Sequence, residues 1–337
     1  MSTSAATPVL ELREVGVSVN KNGTSIPLVR DGTLTIGAGE VVCLVGESGS
    51  GKSVLARTIM GLTQRDSAMS VTGSILFEGR ELVGESEPRF RALRGNQMSM
   101  IFQEPLSSLD PVYSIESQLR EAVRRAAGTH PEGIRAHMID LLASVGIRDG
   151  DRVLRSYPFQ LSGGMCQRVM IAMGLAGRPR LLIADEPTTA LDVTIQAQIL
   201  DLIDDIRRER DMSMLMVTHD MGVAARLADR IAVMYAGRIV ENGTPDQIFS
   251  SPQHPYTQGL LACIPTLDGP RRSLLPTIGG SVPHPSALPT GCAFNPRCVR
   301  ASDQCATVDP PLAETAGRAT ACWHPGLASA ETLVSAS

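Results

Sequence analysis

The feature that most constrains this chain is a glycine-rich stretch at residues 46–53, which fits the pattern G-x-x-x-x-G-K-[ST]. Residues 41–45 before it are apolar and mostly β-branched, as expected of a strand buried on both faces of a parallel sheet. Residues 54–61 after it are predicted to form a helix. A strand, a glycine loop and a helix in this order predict a phosphate-binding loop, in which backbone N–H groups and the helix N-terminus hold the phosphates.

Two residues of this loop have chemical roles that follow from their side chains. We expect Lys52 to reach the β- and γ-phosphates of a nucleoside triphosphate, and Ser53 to place its hydroxyl on Mg²⁺. Glu47 and Ser48 are interpreted as spacing within the loop rather than as chemical groups. The predicted nucleotide-binding residues of the loop are Gly46, Glu47, Ser48, Gly49, Ser50, Gly51, Lys52 and Ser53.

Length and charge restrict the class of protein and of partner. With 337 residues, 43% of them hydrophobic, the chain is long enough for one large domain or two smaller ones. The net charge of −4 provides no general attraction to nucleic acid, and we expect no nucleic-acid partner. No apolar run approaches the roughly 20 residues that cross a bilayer, and the N-terminus does not resemble a signal peptide. We therefore expect a cytosolic protein that reaches a membrane only through a protein partner.

The hydrophobic pattern along the chain predicts a mixed α/β domain. Residues 9–45 are predicted to form a small antiparallel β layer that leads into the phosphate-binding strand, and an amphipathic pattern within about residues 104–160 predicts a helical subdomain. Further strands are predicted at 73–79, 98–103, 181–187 and 214–220, with a two-stranded ribbon at 231–243.

Two carboxylates and a second glycine motif extend the predicted site. Asp185 and Glu186 end a predicted strand, where Asp185 can be an oxygen ligand of Mg²⁺ and Glu186 can polarise an attacking water. Ser162, Gly163 and Gly164 open a predicted helix whose N-terminal amides would bind an anion. Because the first loop already holds the phosphates, this second helix end predicts a second nucleotide-bearing molecule.

The C-terminal part, residues 265–337, is predicted to be an extension that follows a domain covering residues 1–264. It begins with a proline- and glycine-rich arm at about 265–289 and then carries four cysteines, Cys292, Cys298, Cys305 and Cys322. Four thiolates can ligate zinc or an iron–sulfur cluster, whereas cytosolic thiols rarely form disulfides. The gaps between these cysteines are wider than the short pairs typical of zinc sites, and free thiols are a third alternative.

The motifs, taken in their order, resemble those of the ATP-binding cassette (ABC) family over about residues 9–265. Residues 46–53 resemble its Walker A loop, residues 181–186 its Walker B strand, and residues 162–164 its signature motif. The resemblance implies a P-loop ABC ATPase fold in which ATP is sandwiched between two cassettes, and it implies that Asp192 lies at that interface.

The resemblance also implies individual roles. Gln103 resembles the family's Q-loop glutamine, which contacts the metal and water close to the docking site of the transport subunit, and His219 resembles the switch histidine that bonds the γ-phosphate. The predicted catalytic residues are then Glu186, His219 and Gln103, and the predicted Mg²⁺ ligands are Ser53, Gln103 and Asp185.

Two positions depart from the family pattern. Met165 stands at the fifth signature position, where Gln is commoner, although Met is frequent in the peptide-importer branch. The aromatic residue that usually stacks on adenine upstream of Walker A has no counterpart near residues 26–29. Adenine is then held more loosely, or by the partner.

The C-terminal sequence is similar to that of the dipeptide and oligopeptide permease ATPases. Residues 249–261 and the motif Gly291-Cys292-x-Phe294-x-x-Arg297-Cys298 carry this similarity. It implies an ATP-hydrolysing subunit of a bacterial peptide importer, bound at the cytoplasmic face of the membrane. Its implied partners are a second cassette, identical or paralogous, transmembrane permease subunits and, indirectly, an extracytoplasmic solute-binding protein. Relatives in this branch carry a [4Fe–4S] cluster on the four cysteines, and zinc remains the alternative.

Other functions within the same family are open at this point. Members of the branch also import nickel, glutathione or other small solutes. A soluble, non-transport ABC ATPase of the DNA-repair kind would need long heptad arms, and residues 54–160 contain none. A catalytically silent regulator is disfavoured because Lys52, Asp185, Glu186 and His219 are all present.

Overall fold

The computed structural model describes residues 7–126, 133–189, 192–264 and 277–326. These residues fall into two compact units that alternate along the chain. The first unit contains the described residues up to Leu10, together with Ile36–Glu40 and Phe77–Met216. The second contains Glu11–Thr35, Val41–Leu76 and the described residues from Val217 onward.

The bounds of the regular elements are as follows. The strands are β1 (Leu10–Lys21), β2 (Thr24–Ile36), β3 (Val41–Val45), β4 (Met69–Phe77), β5 (Arg80–Glu81), β6 (Met98–Ile101), β7 (Leu181–Asp185), β8 (Ser213–Thr218), β9 (Arg230–Tyr235), β10 (Arg238–Gly243), β11 (Ala313–Thr315) and β12 (Arg318–Thr320). The helices are α1 (Lys52–Ile59), α2 (Glu87–Leu93), α3 (Pro105–Ser108), α4 (Ile115–Arg125), α5 (Ile134–Ser144), α6 (Gly150–Arg155), α7 (Gly163–Gly174), α8 (Val193–Glu209), α9 (Met221–Leu227), α10 (Pro245–Ser250), α11 (Pro255–Ala262) and α12 (Asp303–Thr307).

In the second unit, the phosphate-binding strand β3 is completely buried, as its apolar sequence predicts. It pairs in parallel with β9, and the sheet continues through antiparallel pairs from β9 to β10, β12 and β11. Burial raises the pKa of the Cys43 thiol in β3 to about 12, with a smaller contribution from Asp229. The C-terminal strands β11 and β12 are therefore part of the same sheet as the phosphate-binding strand.

The β layer predicted for residues 9–45 is present. Strands β1 and β2 are neighbours joined by a two-residue turn, Asn22 and Gly23, with φ values of 53° and 78°. Positive φ at both positions is the geometry of a tight hairpin, because it matches the twist of the strands.

The first unit contains the predicted helical subdomain. Helices α4, α5, α6 and α7 pack on one another. Their buried face follows the 3.6-residue period of the sequence. In α4 the buried side chains are Ile115, Leu119 and Val123, and in α5 they are Ile134, Met138, Leu141 and Leu142. Strands β6 and β7 pair in parallel, and β8 lies next to β7.

The structure differs from the sequence expectations mainly at the ends of elements. Helix α1 begins at Lys52 and not at residue 54, because Gly51 adopts a left-handed conformation with φ 101° and lets the next residue enter the helix directly. Of the predicted arm, residues 265–276 lie outside the described residues, and 277–289 contain only a short 3₁₀ turn at Pro285–Ala287. The predicted boundary after residue 264 stays a prediction.

Within the residues that the structure describes, none of the helices combines the length and the apolar character needed to cross a membrane.

Candidate nucleotide-binding site

The predicted phosphate-binding loop connects β3 to α1 in the second unit and lies tightly against neighbouring backbone. A Cβ atom on Gly46 would lie 2.2 Å from the carbonyl oxygen of Met234, and one on Gly51 would lie 2.8 Å from that of Leu28. Both distances are too short for any side chain, so these positions require glycine. The loop conformation is thus fixed by its contacts with other parts of the unit.

Lys52, the seventh residue of the loop and the first of α1, is buried. Its side chain curls back, and Nζ donates to the carbonyl oxygens of Gly46 and Glu47 at 2.7 and 2.9 Å. The ammonium group therefore lies among the loop carbonyls, and Ser53 follows in the first turn of α1. A positive charge and the N-terminal end of a helix dipole favour an anionic ligand at this end of α1.

Glu47 makes contacts that the sequence did not reveal. Its carboxylate pairs with the guanidinium group of Arg297, and its backbone N–H donates to the hydroxyl oxygen of Tyr256. Both partners come from the C-terminal third of the chain.

In the first unit, the predicted catalytic glutamate lies at the end of β7. Gln103 Nε2 donates to Glu186 Oε2 at 3.1 Å, and Thr189 Oγ1 donates to the same oxygen at 2.8 Å. Glu186 has a φ of 46°, a left-handed backbone conformation that is unfavourable for a non-glycine residue and is often found at functional sites. The neighbouring Asp185 is buried. The structure thus brings Gln103 and Glu186 together, and it adds Thr189, which sequence reasoning missed.

His219, in the second unit, directly follows β8 and is exposed. The turn around it is held by its neighbours. Asp220 caps α9 by accepting from the N–H groups of Gly222 and Val223, and its own N–H donates to Thr218 Oγ1. The histidine is therefore presented from a rigid strand-to-helix turn.

The signature segment begins helix α7 in the first unit. The Ser162 hydroxyl caps the helix by accepting from Met165 N at 3.3 Å, and both Ser162 and Gly163 are exposed. Gly164 faces α8, where a Cβ would approach Ile195 Cγ2 to 3.2 Å. This helix end is open to solvent in the isolated chain.

Asp192 has a local structural role in the first unit. It is the N-cap residue of α8, and its Oδ1 accepts from Ile195 N at 3.0 Å. The side chain is also exposed, so its predicted place at an interface between cassettes stays a prediction.

The four cysteines of the C-terminal segment share a site. Burial, as the largest cause, raises the pKa values of Cys292, Cys298 and Cys322. Backbone N–H groups of Arg300 and His324 donate to the Sγ atoms of Cys298 and Cys322. One cavity is lined by the side chains of Cys292, Cys298, Cys305 and Cys322, with Phe294 and Trp323 among its walls.

The wall formed by Trp323 is fixed, because its Nε1 donates to the carbonyl oxygen of Val308 at 2.9 Å. Among the residues that the structure describes, no group of three or more His, Cys, Asp or Glu side chains is arranged as a metal site. The predicted cysteine set is therefore brought to one cavity, without the compact arrangement of a single-ion site.

Comparison with known proteins decides the family. Residues 29–189 match the ABC transporter family, and residues 240–305 match the oligopeptide/dipeptide transporter C-terminal region. The oligopeptide transport ATP-binding protein AppD of Bacillus subtilis (strain 168) is 46% identical over 316 residues, covering 94% of this chain and 96% of AppD. The chain belongs to the ATP-binding proteins of ABC transporters. This ABC ATPase is also 45% identical over 316 residues to a putative peptide import ATP-binding protein of Brucella abortus (strain 2308), covering 94% of each chain.

Solved structures agree with this assignment. The ATP-binding cassette MJ0796, in a dimeric post-hydrolysis state bound to ADP and Pi, matches with a TM-score of 0.62 and 26% identity, covering 70% of the ABC ATPase and 98% of MJ0796. CbiO1 of Clostridium perfringens, part of the ABC transporter complex cbiONQ, matches with a TM-score of 0.61 and 25% identity, covering 72% and 91% of the two chains. The predicted family, fold class and ATPase class are confirmed.

Proposed function

We propose that this ABC ATPase hydrolyses ATP to power the import of di- or oligopeptides, as one half of a cassette dimer bound beneath permease subunits at the cytoplasmic face of the membrane. The names of the Bacillus and Brucella relatives support peptide import, and so does the match of residues 240–305 to the oligopeptide/dipeptide transporter region. The solute reaches the permease from an extracytoplasmic binding protein, and the ATPase itself contacts only the permease and the second cassette.

The observation that carries the ATPase proposal is the Glu186 carboxylate, held by Gln103 and Thr189 beside the buried Asp185. A carboxylate fixed in this way accepts a hydrogen bond from the attacking water and orients it towards the γ-phosphate. Mg²⁺, when bound with the nucleotide, would supply positive charge for the triphosphate. The residues assigned to it are Ser53 of the second unit and Gln103 and Asp185 of the first unit, and each offers an oxygen of the kind that this ion prefers.

The exposed N-terminus of α7 supports the dimer. Ser162 and Gly163 present a helix end to solvent, and such an end binds anions. We assign it to the γ-phosphate on the partner cassette, with Asp192 at the same interface, and we assign His219 to a hydrogen bond with the γ-phosphate. The dimeric state of MJ0796 with ADP and Pi is the corresponding arrangement in a related cassette.

The substitution Glu186→Gln tests the catalytic assignment. We expect ATP affinity to be retained while the turnover number falls by about a hundredfold or more, because the neutral amide cannot act as a base. The variant should accumulate as an ATP-bound dimer in size-exclusion chromatography. Glu209→Gln, the same change at the exposed end of α8, is the matched control. Normal hydrolysis by Glu186→Gln would remove Glu186 from its assigned role.

The identity of the solute requires the assembled importer. With the permease and the solute-binding protein reconstituted in vesicles, we expect peptides to stimulate ATP hydrolysis. Stimulation by nickel or glutathione, and not by peptides, would place the protein among the other importers of the same branch.

We also propose that the cysteine cavity holds a [4Fe–4S] cluster, with zinc as the alternative. Four thiols facing one cavity, two of them accepting backbone N–H bonds, fit the donor set of such a cluster. The ligands would be Cys292, Cys298, Cys305 and Cys322. A bound cluster supplies a one-electron redox centre.

Metal analysis separates these alternatives. Anaerobically purified protein should be brown and contain iron and acid-labile sulfide, and Cys298→Ser should lower both, whereas Cys263→Ser, outside the cavity, should not. Stoichiometric zinc without iron would overturn the cluster assignment.

A further inference from the structure

Glu47, the second residue of the phosphate-binding loop, forms a bidentate ion pair with Arg297 of the C-terminal segment. Arg297 Nη1 donates to Glu47 Oε2 at 2.9 Å, and Nη2 donates to Oε1 at 3.1 Å. Parallel bonds of this kind fix orientation as well as supply energy. The Arg297 side chain is only 5% exposed, and the residues are 250 positions apart in sequence. The contact is therefore a largely buried structural interaction within the unit. It differs from exposed surface ion pairs, which contribute little to stability.

The guanidinium group of Arg297 is held on its other sides as well. Its Nε donates to the carbonyl oxygen of Gly279 at 2.8 Å, and Nη2 also donates to that of Ile278 at 3.2 Å. Its Cζ atom lies 5.7 Å from the ring centroid of Tyr235 and 5.9 Å from that of Phe294. Because the group has little freedom, it can fix the position of the carboxylate that it binds.

The backbone of Glu47 has a second anchor in the same part of the chain. Its N–H donates to Tyr256 Oη at 2.8 Å. The Tyr256 ring is completely buried, with its centroid 4.6 Å from that of Tyr235 and 5.5 Å from that of Phe294. One aromatic cluster thus supports both the residue that binds the Glu47 side chain and the residue that binds its main chain.

The charge of Glu47 explains why the loop needs Arg297. A carboxylate on a loop that holds a triphosphate repels the ligand, and the repulsion is strong where water is partly excluded. The paired guanidinium neutralises that carboxylate. The Glu47 carbonyl is also an acceptor of Lys52 Nζ, so a shift of Glu47 would move the lysine that is assigned to the phosphates.

We propose that Arg297, with Tyr256, is a positioning residue of the phosphate-binding loop, so that ATP affinity depends on the C-terminal cysteine segment. The segment acts through Glu47 and does not touch the nucleotide. The inference rests on the proposed function only in taking ATP as the ligand of the loop.

Nucleotide-free protein tests the positioning itself. In the full chain, Arg297→Gln should accelerate hydrogen–deuterium exchange of the peptide containing residues 46–53 by severalfold, because the loop loses the ion pair that anchors the Glu47 side chain. Asp309→Asn is the matched control. This change breaks the ion pairs of Asp309 with Arg30 and Arg238. Those pairs also join the C-terminal segment to the rest of the unit, but they do not involve residues 46–53. Unchanged exchange in Arg297→Gln, or an equal acceleration in Asp309→Asn, would overturn the proposal.

Titration calorimetry with Mg-ATP then tests the consequence for the ligand. Arg297→Gln should raise the Kd for ATP by about tenfold, because it leaves an unpaired carboxylate on the loop that is assigned to the phosphates. In steady-state phosphate release, the KM should rise by a similar factor while kcat changes little. Adding Glu47→Gln to Arg297→Gln removes that carboxylate and should recover part of the lost affinity. No recovery in the double variant would show that the charge of Glu47 is not what Arg297 controls.

The outcomes also separate this inference from the proposed function. Absence of ATP hydrolysis by the wild-type complex would reject the ATPase proposal, while the exchange measurement would still decide whether Arg297 positions the loop.

Discussion

Thr189 shows how a single hydroxyl can help to hold the carboxylate that is proposed to be catalytic. It donates to the same Glu186 oxygen as Gln103, so the carboxylate is held from two sides. A hydrogen bond to a charged group contributes about 1.5–3 kcal/mol, which is enough to fix the side chain in one orientation. The backbone of Glu186, with its φ of 46°, adds to this constraint.

We expect Thr189→Val to lower kcat by about tenfold, since each 1.4 kcal/mol of lost transition-state stabilisation costs a factor of ten. The KM for ATP should change little, because the hydroxyl of Thr189 acts on the Glu186 carboxylate. Thr189→Ser keeps the hydroxyl and should retain most of the activity. Steady-state phosphate release by the three proteins checks this, and equal rates in Thr189→Val and wild type would contradict it.

His254 is a buried titratable group whose ionisation is linked to stability. Burial, with smaller contributions from Arg300 and Arg238, lowers its pKa to about 3, and its Nδ1 accepts from Tyr256 N. The folded protein therefore keeps the ring neutral, whereas an unfolded histidine takes up a proton below about pH 6.5. The stability from this group is complete above pH 6.5 and is lost as the pH falls towards 3.

Replacing this histidine should flatten the acid side of the stability profile. In His254→Gln, the slope of the unfolding free energy with pH between 6 and 4 should decrease by up to about 1.4 kcal/mol per pH unit, the value for one proton. Urea unfolding at several pH values measures it. His137→Gln, the same change at a partly exposed position in α5, is the matched control.

The residues of the site differ in how far the sequence could predict them. Lys52 lies within a local motif, so the sequence alone predicted it, whereas Gln103 was assigned from the family resemblance. Thr189 lies outside these motifs. Tyr256 and Arg297 lie in segments that resemble the permease ATPases, but the sequence assigned no role to either, and they meet Glu47 only because the chain folds back over more than 200 residues. Local sequence cannot encode that proximity.

At the scale of elements, one residue at a helix N-terminus can both cap the helix and contact a partner. Asp192 caps α8 and is also assigned to the interface between cassettes. Loss of a cap costs about 1 kcal/mol of stability, whereas loss of an interface contact affects turnover and dimer formation. The two roles can be separated because serine caps a helix about as well as aspartate does.

We therefore expect Asp192→Ala to lower the free energy of unfolding by about 1 kcal/mol and Asp192→Ser to preserve it. If Asp192 acts at the interface, ATP turnover should fall in both variants. Thermal unfolding and phosphate release provide the two measurements. Normal turnover in Asp192→Ser would leave the residue with its capping role alone.

Elements were predictable where the pattern of burial is simple. The fully buried strands β3 and β7 match their predicted positions closely, and the amphipathic helices α4 and α5 lie within the predicted helical subdomain. Element ends were less predictable, as at α1, because the conformation of Gly51 depends on the packing of Leu28 and Met234 around the loop.

At the scale of the whole chain, the C-terminal segment is more deeply integrated than a linker pattern suggests. Strand β12 pairs with β10, with Glu241 opposite Thr320, and Phe294 packs against Tyr235 and Tyr256. The proline- and glycine-rich stretch that suggested a boundary at 264 is a local signal, and it contains no information about what the later residues pack against.

A chain truncated after residue 264 should therefore be strongly destabilised rather than a folded cassette. Removing the segment exposes Tyr235 and Tyr256 and leaves the buried Glu241 without its strand partner. We expect a loss of several kcal/mol, in line with large losses of core packing, visible as a markedly lower Tm by circular dichroism. A truncated protein with the Tm of the full chain would show that residues 1–264 form an autonomous domain.

The wall of the cysteine cavity has a practical consequence for studying this protein. Trp323 is the only tryptophan among the 337 residues, and it lines that cavity with its indole fixed to Val308. Tryptophan fluorescence of the protein therefore comes from Trp323 alone. Its intensity and wavelength are an intrinsic probe of the surroundings of the four thiols in the unlabelled wild-type chain.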